Sequence, residues 1–492
     1  MISRIKRFIL RQLEAQRIKK IKASKYFDEE YYLSQNADVK ASGIDPATHF
    51  HLYGWKEGRN PSSYFNMSMI LKEYPDIRKK SQNPILYVLE NKLEREITKK
   101  NLDSKMTASE LINSYFRESA SLNTLTVDSK KTRLNIVYNG FDSSCFFGGK
   151  ATALILAIMF ANRYDYVLRI ISQNPEKKVF YDFLKLFKLN YDGEIEFYST
   201  EEFDECLEVG ENDHFLCTMW SNADAVLNTP TITGKVFYIM QEVETFFYDH
   251  GDNHLRCFNT LTNDRLIPIV NTKLLYEYLL KQGYENVKQG IFFEPSFPKD
   301  LYSPSAESFV KKKEYKLFFY ARPTHQRNLF YFGLNVLNQA FLRGVLNPKE
   351  WKVYMAGDKE VPDFRFDSRV KIEKLGIMKW KEYTDFASTV DLCYSTIYTP
   401  HPSYPPFDFV TSGAVVLTNK YQNKGDLHMY SKNIVSGELK EEEMLKKLSK
   451  AVALAKNPSQ RKKNYQSNTI GRSWADSFKE VLPFMNNKLI DK

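Results

Sequence analysis

From Arg133 onward the chain alternates short apolar runs with longer segments whose apolar residues recur at helical spacing. The runs RLNIVYNG, YVLRIISQ, EIEFYS, HFLCTMW, KVFYIMQ and RLIPIVN predict strands. Between them KATALILAIMFANRY, VFYDFLKLF and KLLYEYLLKQGY predict helices. After Pro295-Ser296-Phe297-Pro298 the alternation restarts. KLFFYA, WKVYMAG, RVKIEKLG, DLCYSTIY, AVVLTN and NIVSG read as strands, and NLFYFGLNVLNQAFL and EYTDFASTV as helices. Apolar strands alternating with helices are the pattern of a parallel sheet covered on both faces, so the expected class is α/β with two successive doubly wound units, at residues 132–298 and 299–470. Helices around EEEMLKKLSKAVALAK and WADSFKEVLPFM end the chain, and residues 471–492 are expected to return to the first unit.

The first quarter has a different pattern. YFDEEYYLSQNADVKASGIDPATHF, from Tyr26, aligns without gaps to YFNMSMILKEYPDIRKKSQNPILYV, from Tyr64. Tyr26/Tyr64, Phe27/Phe65, Leu33/Leu71, Asp38/Asp76 and Pro46/Pro84 are identical, and Val39/Ile77 and Trp55/Leu93 are similar. Each copy predicts a helix, a turn and a second helix, so residues 26–97 read as a tandem all-α repeat module. Asp28 and Asn66 sit as N-caps of the first helices; Asp45-Pro46 and Asn83-Pro84 start the second ones. No acid pair or metal cluster recurs in both copies, which favours docking of a protein partner over catalysis. Residues 98–131 are polar and read as a linker.

With 492 residues, 43% hydrophobic and 14% aromatic, the chain can build several cores and wholesale disorder is excluded. Charges interrupt MISRIKRFILRQLEAQRIKKIK, so it does not read as a signal peptide, and no apolar run is long enough to cross a bilayer; a cytoplasmic location is expected. The five cysteines, Cys145, Cys206, Cys217, Cys257 and Cys393, show no paired or zinc-binding spacing and read as reduced. The net charge of +10 points to anionic partners, and the positive excess is concentrated in residues 1–25. There Ile2, Ile5, Phe8, Ile9 and Leu13 share one helical face among basic residues. This suits peripheral binding to an anionic membrane, at the inner face of a bacterial one, and equally suits docking on the protein itself. Nucleic-acid binding would need basic residues clustered with aromatics on one surface, and it is not expected.

Ligands of doubly wound sheets bind at the carboxyl ends of strands. Four loops there carry unusual residues. NGFDSSCFFGGK ends in Gly148 and Gly149 directly before a helix, which would let backbone N–H groups approach a phosphate; a tight turn needing positive φ is an equal reading. YARPTHQR places Arg322 and Arg327 around a proline turn, where two guanidiniums can neutralise a departing diphosphate; two surface arginines are the alternative. TPHPSYPPFDFVTSG packs prolines before a predicted helix, with Pro405 and Pro406 pre-setting its first turn, Asp408 expected within that turn, and Gly413 ending it. Asp408 would accept from a sugar hydroxyl or merely complement the helix dipole. QEVETFFYDHGDNH crowds Glu242, Glu244, Asp249 and His250. Glu244 is the candidate base, with Glu242, Asp249 and His250 on the acceptor side; a solvated acidic loop is the competing account.

These residues together resemble retaining GT-B glycosyltransferases of the GT4 type: two Rossmann-like domains facing a cleft, here preceded by the repeat module. YARPTHQRN, YTPHPSYPPFDFVTSGAVVLTN and YIMQEVETFFYDHGD more narrowly resemble WsaF-like bacterial rhamnosyltransferases, which use dTDP-L-rhamnose. YFDEEYYLSQNADV through GWKEGRNP resembles a module appended to glycosyltransferases of bacterial polysaccharide assembly. The resemblance implies that Arg322 and Arg327 bind the donor diphosphate, that Gly148 and Gly149 close over it, and that Asp408 holds the ribose. It further implies that Gly376, Ile377 and Met378 read the base, and that His401, Ser403, Tyr404, Pro406 and Phe407 lie at the donor. The implied partners are a nucleotide-sugar donor and a glycan or lipid-linked glycan acceptor, with no metal and no further cofactor. Two departures stand out. The GT4 pattern has glutamates spaced E-x7-E; here Asp408 takes the second position and Pro400 the first. The second basic residue is Arg where many relatives carry Lys.

Overall fold

A computed structural model describes residues 2–79, 82–93, 107–142, 148–201, 206–367 and 370–490, the side chains of 2–11, 78 and 79 excepted. The chain divides into two compact units, Met1–Tyr115 and Phe116–Lys492.

In the first unit the duplication is visible in the backbone. Asp28 accepts from Tyr31 N–H at 2.9 Å and Asn66 from Met69 N–H at 3.1 Å, each opening a helix, Glu29–Gln35 and Met67–Glu73. Asp45 and Asn83 cap the proline-started helices Pro46–His49 and Pro84–Glu90. Each copy holds three helical pieces instead of the expected two, because Ala37–Ser42 and Asp76–Lys79 form separate short helices. The matched positions Phe27/Phe65, Val39/Ile77 and Pro46/Pro84 are all buried. The N-terminal helix, Ile2–Lys22, contributes the fully buried Ile21 to this core, so its C-terminal end docks on the repeats. The apolar positions expected to face a membrane, Ile2, Ile5, Phe8 and Ile9, lie outside the described side chains; Leu13 is exposed. Among the described residues no helix is long and apolar enough to cross a membrane.

The second unit carries β1 (Thr124–Thr126), β2 (Arg133–Val137), β3 (Val167–Ser172), β4 (Ile195–Ser199) and β5 (Leu207–Val209). Next come β6 (Asp213–Cys217), β7 (Val236–Met240), β8 (Leu266–Asn271) and β9 (Ile291–Phe293). β10 (Tyr315–Tyr320), β11 (Trp351–Ala356), β12 (Ile372–Gly376), β13 (Leu392–Tyr394), β14 (Val415–Asn419) and β15 (Ile434–Gly437) complete it. One sheet has the order β4-β3-β2-β6-β7-β8-β9 and the other β12-β11-β10-β13-β14-β15, and neighbours in both pair in parallel. In each the strand order reverses beside the first strand, between β2 and β6 and between β10 and β13, so each sheet opens a crevice at that point. The central strands are buried along their whole length, which is why they appear in the sequence as largely apolar runs.

Residues 116–131, expected as linker, instead hold the short strand β1, which pairs with β5. At the other end Phe478, Val481, Leu482 and Met485 pack into the core of the first sheet. Cys217, Cys257 and Cys393 are buried free thiols and Cys206 is an exposed one; Cys145 lies outside the described residues.

Candidate functional site

The carboxyl ends of both sheets open onto one cavity of about 500 Å³, within the size range of sites for small organic ligands. Gly148 and Gly149 line it from the loop after β2, Gln241 and Glu242 from the loop after β7, and Arg322, Arg327 and Asn328 from the loop after β10. Gly357 follows β11, Gly376, Ile377 and Met378 lie at and after the end of β12, and His401, Ser403, Tyr404 and Asp408 follow β13.

The glycine pair sits in close packing. Gly148 has φ +46°, and a Cβ there would stand 3.2 Å from the Tyr404 ring; one on Gly149 would stand 2.8 Å from Gln241. The loop is a tight turn with positive φ, and it brings the start of the helix Gly149–Tyr164 to the cavity wall. Tyr404 crosses from the second sheet's side to the first. Its hydroxyl lies 2.6 Å from Thr152 Oγ1, 2.8 Å from Asn271 Nδ2 and 2.9 Å from Gln241 Oε1.

The two arginines are held differently. Arg322 donates to His325 Nε2 at 2.6 Å, which leaves the ring proton on Nδ1 to donate to Thr324 Oγ1 at 2.9 Å. Thr324 in turn bonds to Asp358. Burial and the two arginines keep His325 neutral, as this chain requires. Gly357 makes room for Arg322, since a Cβ there would meet its Cγ at 3.0 Å. Arg327 pairs with Glu242, and its guanidinium lies 4.4 Å from the Phe247 ring centroid. Glu242 also accepts from Thr399, so a carboxylate of the first sheet is gripped by two residues of the second.

Ser403 N–H donates to His401 Nδ1 at 3.0 Å, which puts the imidazole proton on Nε2. That Nε2 is buried without a hydrogen-bond partner among the described residues, as are Arg322 Nε and Asn328 Oδ1. All three residues line the cavity. Burial, Lys424 and Arg327 push the His401 ring down to about 3, so the imidazole is neutral.

Asp408 lines the cavity but does not lie in the first turn as expected. Ser403, at φ +71°, precedes the helix Tyr404–Thr411, which makes Asp408 its fifth residue. Its carboxylate accepts from Tyr383 at 3.0 Å, and burial drives it up to about 7 despite the hydrogen bonds from Tyr383 and Tyr302. Gly413, at φ +93°, ends the segment, and its carbonyl accepts from the buried Arg461 at 2.6 Å.

Several expected positions fall elsewhere. Glu244 is two residues from Glu242 but turns into the core, where it accepts from Trp220 N–H at 3.0 Å and from the Tyr238 hydroxyl. Burial raises it to about 7, and it does not reach the cavity. Asp249 and His250 are exposed on the far part of that loop, His250 stacked on His254 at 4.7 Å. Pro406 and Phe407 point away from the cavity because only one side of a helix can face it; Phe407 packs on Phe297 and Tyr430. Gln241, Asn271, Thr399 and Asp358 escaped sequence reasoning. They are single polar residues at strand ends, and the signal available was position after a strand.

Residues 315–449 match the family described as "WsaF, C-terminal domain". The O-antigen biosynthesis protein RfbC of Myxococcus xanthus is 28% identical over 241 residues, 49% of this chain. This chain spans only 18% of that protein's length. A glycosyltransferase from Rickettsia africae ESF-5 superposes with TM-score 0.47 at 14% identity, over 74% of this chain and 100% of that one. TarM superposes with TM-score 0.51 at 11% identity, over 73% of this chain and 99% of its own. That last likeness shows the fold: Phe116–Lys492 is a GT-B body of two Rossmann-like halves, and its second half carries the segment matched by the WsaF C-terminal family.

Proposed function

We propose that the chain is a glycosyltransferase that moves a sugar from a nucleoside-diphosphate donor onto a bacterial surface glycan or lipid-linked glycan. The observation that carries this is the convergence on one cavity of Arg322, Arg327, the Gly148–Gly149 turn, the neutral His401 and Asp408. In this reading the diphosphate lies against the two guanidiniums and the start of the helix Gly149–Tyr164. Its bond to the sugar anomeric carbon breaks, the diphosphate keeps the electron pair, and the arginines stabilise the charge that develops there. The acceptor hydroxyl oxygen forms the new bond, and its proton passes to the departing diphosphate oxygen, since Glu244 does not reach the cavity. Asp408 would hold the ribose, and Gly376 to Met378 would face the base. The segment match and the RfbC similarity support a role in O-antigen or related polysaccharide assembly. The finer assignments, dTDP-L-rhamnose as donor, retention at the anomeric carbon and peripheral membrane attachment, rest on the sequence resemblance. Metal independence follows from the two guanidiniums, which take the role a divalent cation would otherwise have.

The test is transfer from dTDP-rhamnose to candidate glycans by wild type and Arg322→Ala, with and without EDTA. Transfer in EDTA that the substitution abolishes is the expected result. Transfer unaffected by Arg322→Ala, or lost in EDTA, overturns the diphosphate assignment or the metal independence respectively. Thermal stabilisation by UDP or GDP but not dTDP would move the donor away from rhamnose.

A further inference from the structure

Lys424 is fully buried, and its ammonium nitrogen has no hydrogen-bond partner among the described residues. Nothing in the transfer chemistry above uses it. Its place is well fixed. It closes the turn Tyr421–Lys424 after β14, where the two backbones exchange hydrogen bonds of 3.0 and 2.8 Å. Asn419, at the end of β14, clamps both backbone groups of Ile397 at 2.7 and 3.0 Å. The Tyr421 ring lies 4.5 Å from Tyr398, and Asn423 donates to Leu274 O at 2.8 Å. The turn is thus pinned beside Tyr398 and Thr399, and Thr399 grips Glu242. The charged and titratable groups felt across this space are Glu242, which acts on Lys424, and His401, which feels both Lys424 and Arg327.

In the structure Glu242 is paired with Arg327. A diphosphate in the cavity competes for that guanidinium, whose planar fork suits two phosphate oxygens. Glu242, only 12% exposed, would then keep the Thr399 hydroxyl and the Val243 N–H, with no cation beside it, while facing an anionic ligand. A carboxylate stranded in that way is strongly unfavourable. We infer that Lys424 is a positioning residue, the standby counter-ion that takes over Glu242 when Arg327 turns to the diphosphate. Burial lowers its ammonium to about 7, so near neutral pH it gains or keeps a proton readily as the carboxylate comes free. The inference rests on the proposed function, since it needs a diphosphate in the cavity.

The test is calorimetric titration with dTDP, UDP and GDP, using whichever binds wild type most tightly, on Lys424→Met, Glu242→Gln and the double variant. Lys424→Met is expected to weaken binding on the order of tenfold, and Lys424→Arg to restore most of it. In the Glu242→Gln background, where no charge needs balancing, the same substitution is expected to change binding less than about twofold. A merely structural lysine would cost the same in both backgrounds, and that result, or an unchanged affinity in the single variant, overturns the inference. If Lys424→Met does not fold, Lys424→Gln takes its place in the same cycle. Wild type that binds none of the three nucleotides removes the diphosphate reading itself, and this inference falls with it.

Discussion

Replacing Tyr404 with Phe removes one oxygen from the contact between the two halves of the GT-B body. That hydroxyl has one proton and two lone pairs. It donates to Gln241 Oε1 at 2.9 Å, accepts from Asn271 Nδ2 at 2.8 Å and pairs with Thr152 Oγ1 at 2.6 Å. The phenylalanine ring would keep its place against Gly148, so the loss is confined to polar pairing. Thr152 falls back on Gly148 O at 3.1 Å and is not orphaned. Asn271 is fully buried, and its remaining partner is Gln241 Oε1 at 3.5 Å, too long to replace what was lost. Each stranded group costs about 1–3 kcal/mol, and mutual rescue between Asn271 and Gln241 recovers part of one, so the expected loss is about 2–3 kcal/mol. Thr152→Val leaves both bonds to Gln241 and Asn271 intact and is expected to cost about 1 kcal/mol. Urea unfolding of the body, followed by far-ultraviolet circular dichroism, measures both. A Tyr404→Phe loss below roughly 0.5 kcal/mol, or one no larger than that of Thr152→Val, would refute the claim that this hydroxyl ties the halves together.

Three more predictions follow from buried groups. Asp408 keeps its proton up to about pH 7 in the folded chain but ionises near 3.8 when unfolded, so the unfolded state binds fewer protons and stability falls between those values. Glu244 adds to the same slope. Asp408→Asn is expected to shrink the loss between about pH 5 and 8 by up to roughly 2–3 kcal/mol; equal slopes in urea midpoints would contradict this. Gly148→Ala imposes a side chain at φ +46° beside Tyr404 and is expected to cost about 1–2 kcal/mol and to weaken nucleotide binding, whereas Gly149→Ala presses only on the flexible end of Gln241 and costs less. Arg461→Met removes donors from Gly413 O, Val390 O and Asp391, and although Lys312 still reaches Asp391 at 2.9 Å, a loss of about 3 kcal/mol or more is expected in the same unfolding assay.

The fold was legible because strands buried on both faces are mostly apolar, and the few polar residues in them, such as Arg133, Asn135 and Arg169, pair with one another or with acids. RLNIVYNG and KVFYIMQ announce β2 and β7 for that reason. β1, β5 and β9 span three residues each, too few for any pattern. DLCYSTIY is strand only over Leu392–Tyr394, since Asn419 takes over the backbone groups of Ile397 beyond it. The helix Trp220–Leu227 went unread because it is buried almost all round and places Ser221, Asn222 and Asp224 at buried positions, which breaks the apolar spacing. At the site, glycines and arginines after strands could be found by position. Glu242 and Glu244 could not be told apart, because which of two neighbouring acids turns inward depends on Tyr238 of β7 and on the start of the helix Trp220–Leu227. Lys424 was invisible, since a lysine in a YQNK turn reads as solvated until Tyr398 and Leu274 close over that turn.

The repeat module closes its own core, with Tyr26, Tyr32, Phe50, Phe65 and Ile85 all buried within residues 1–115. A segment with a complete core can melt without waiting for the rest of the chain. Two cooperative transitions are therefore expected on heating, and differential scanning calorimetry checks this. A nucleotide in the cavity adds free energy only to the larger of the two, by linkage to its folded form. One calorimetric trace would thus carry its own internal reference: the smaller endotherm stays where it is while the larger one reports occupancy.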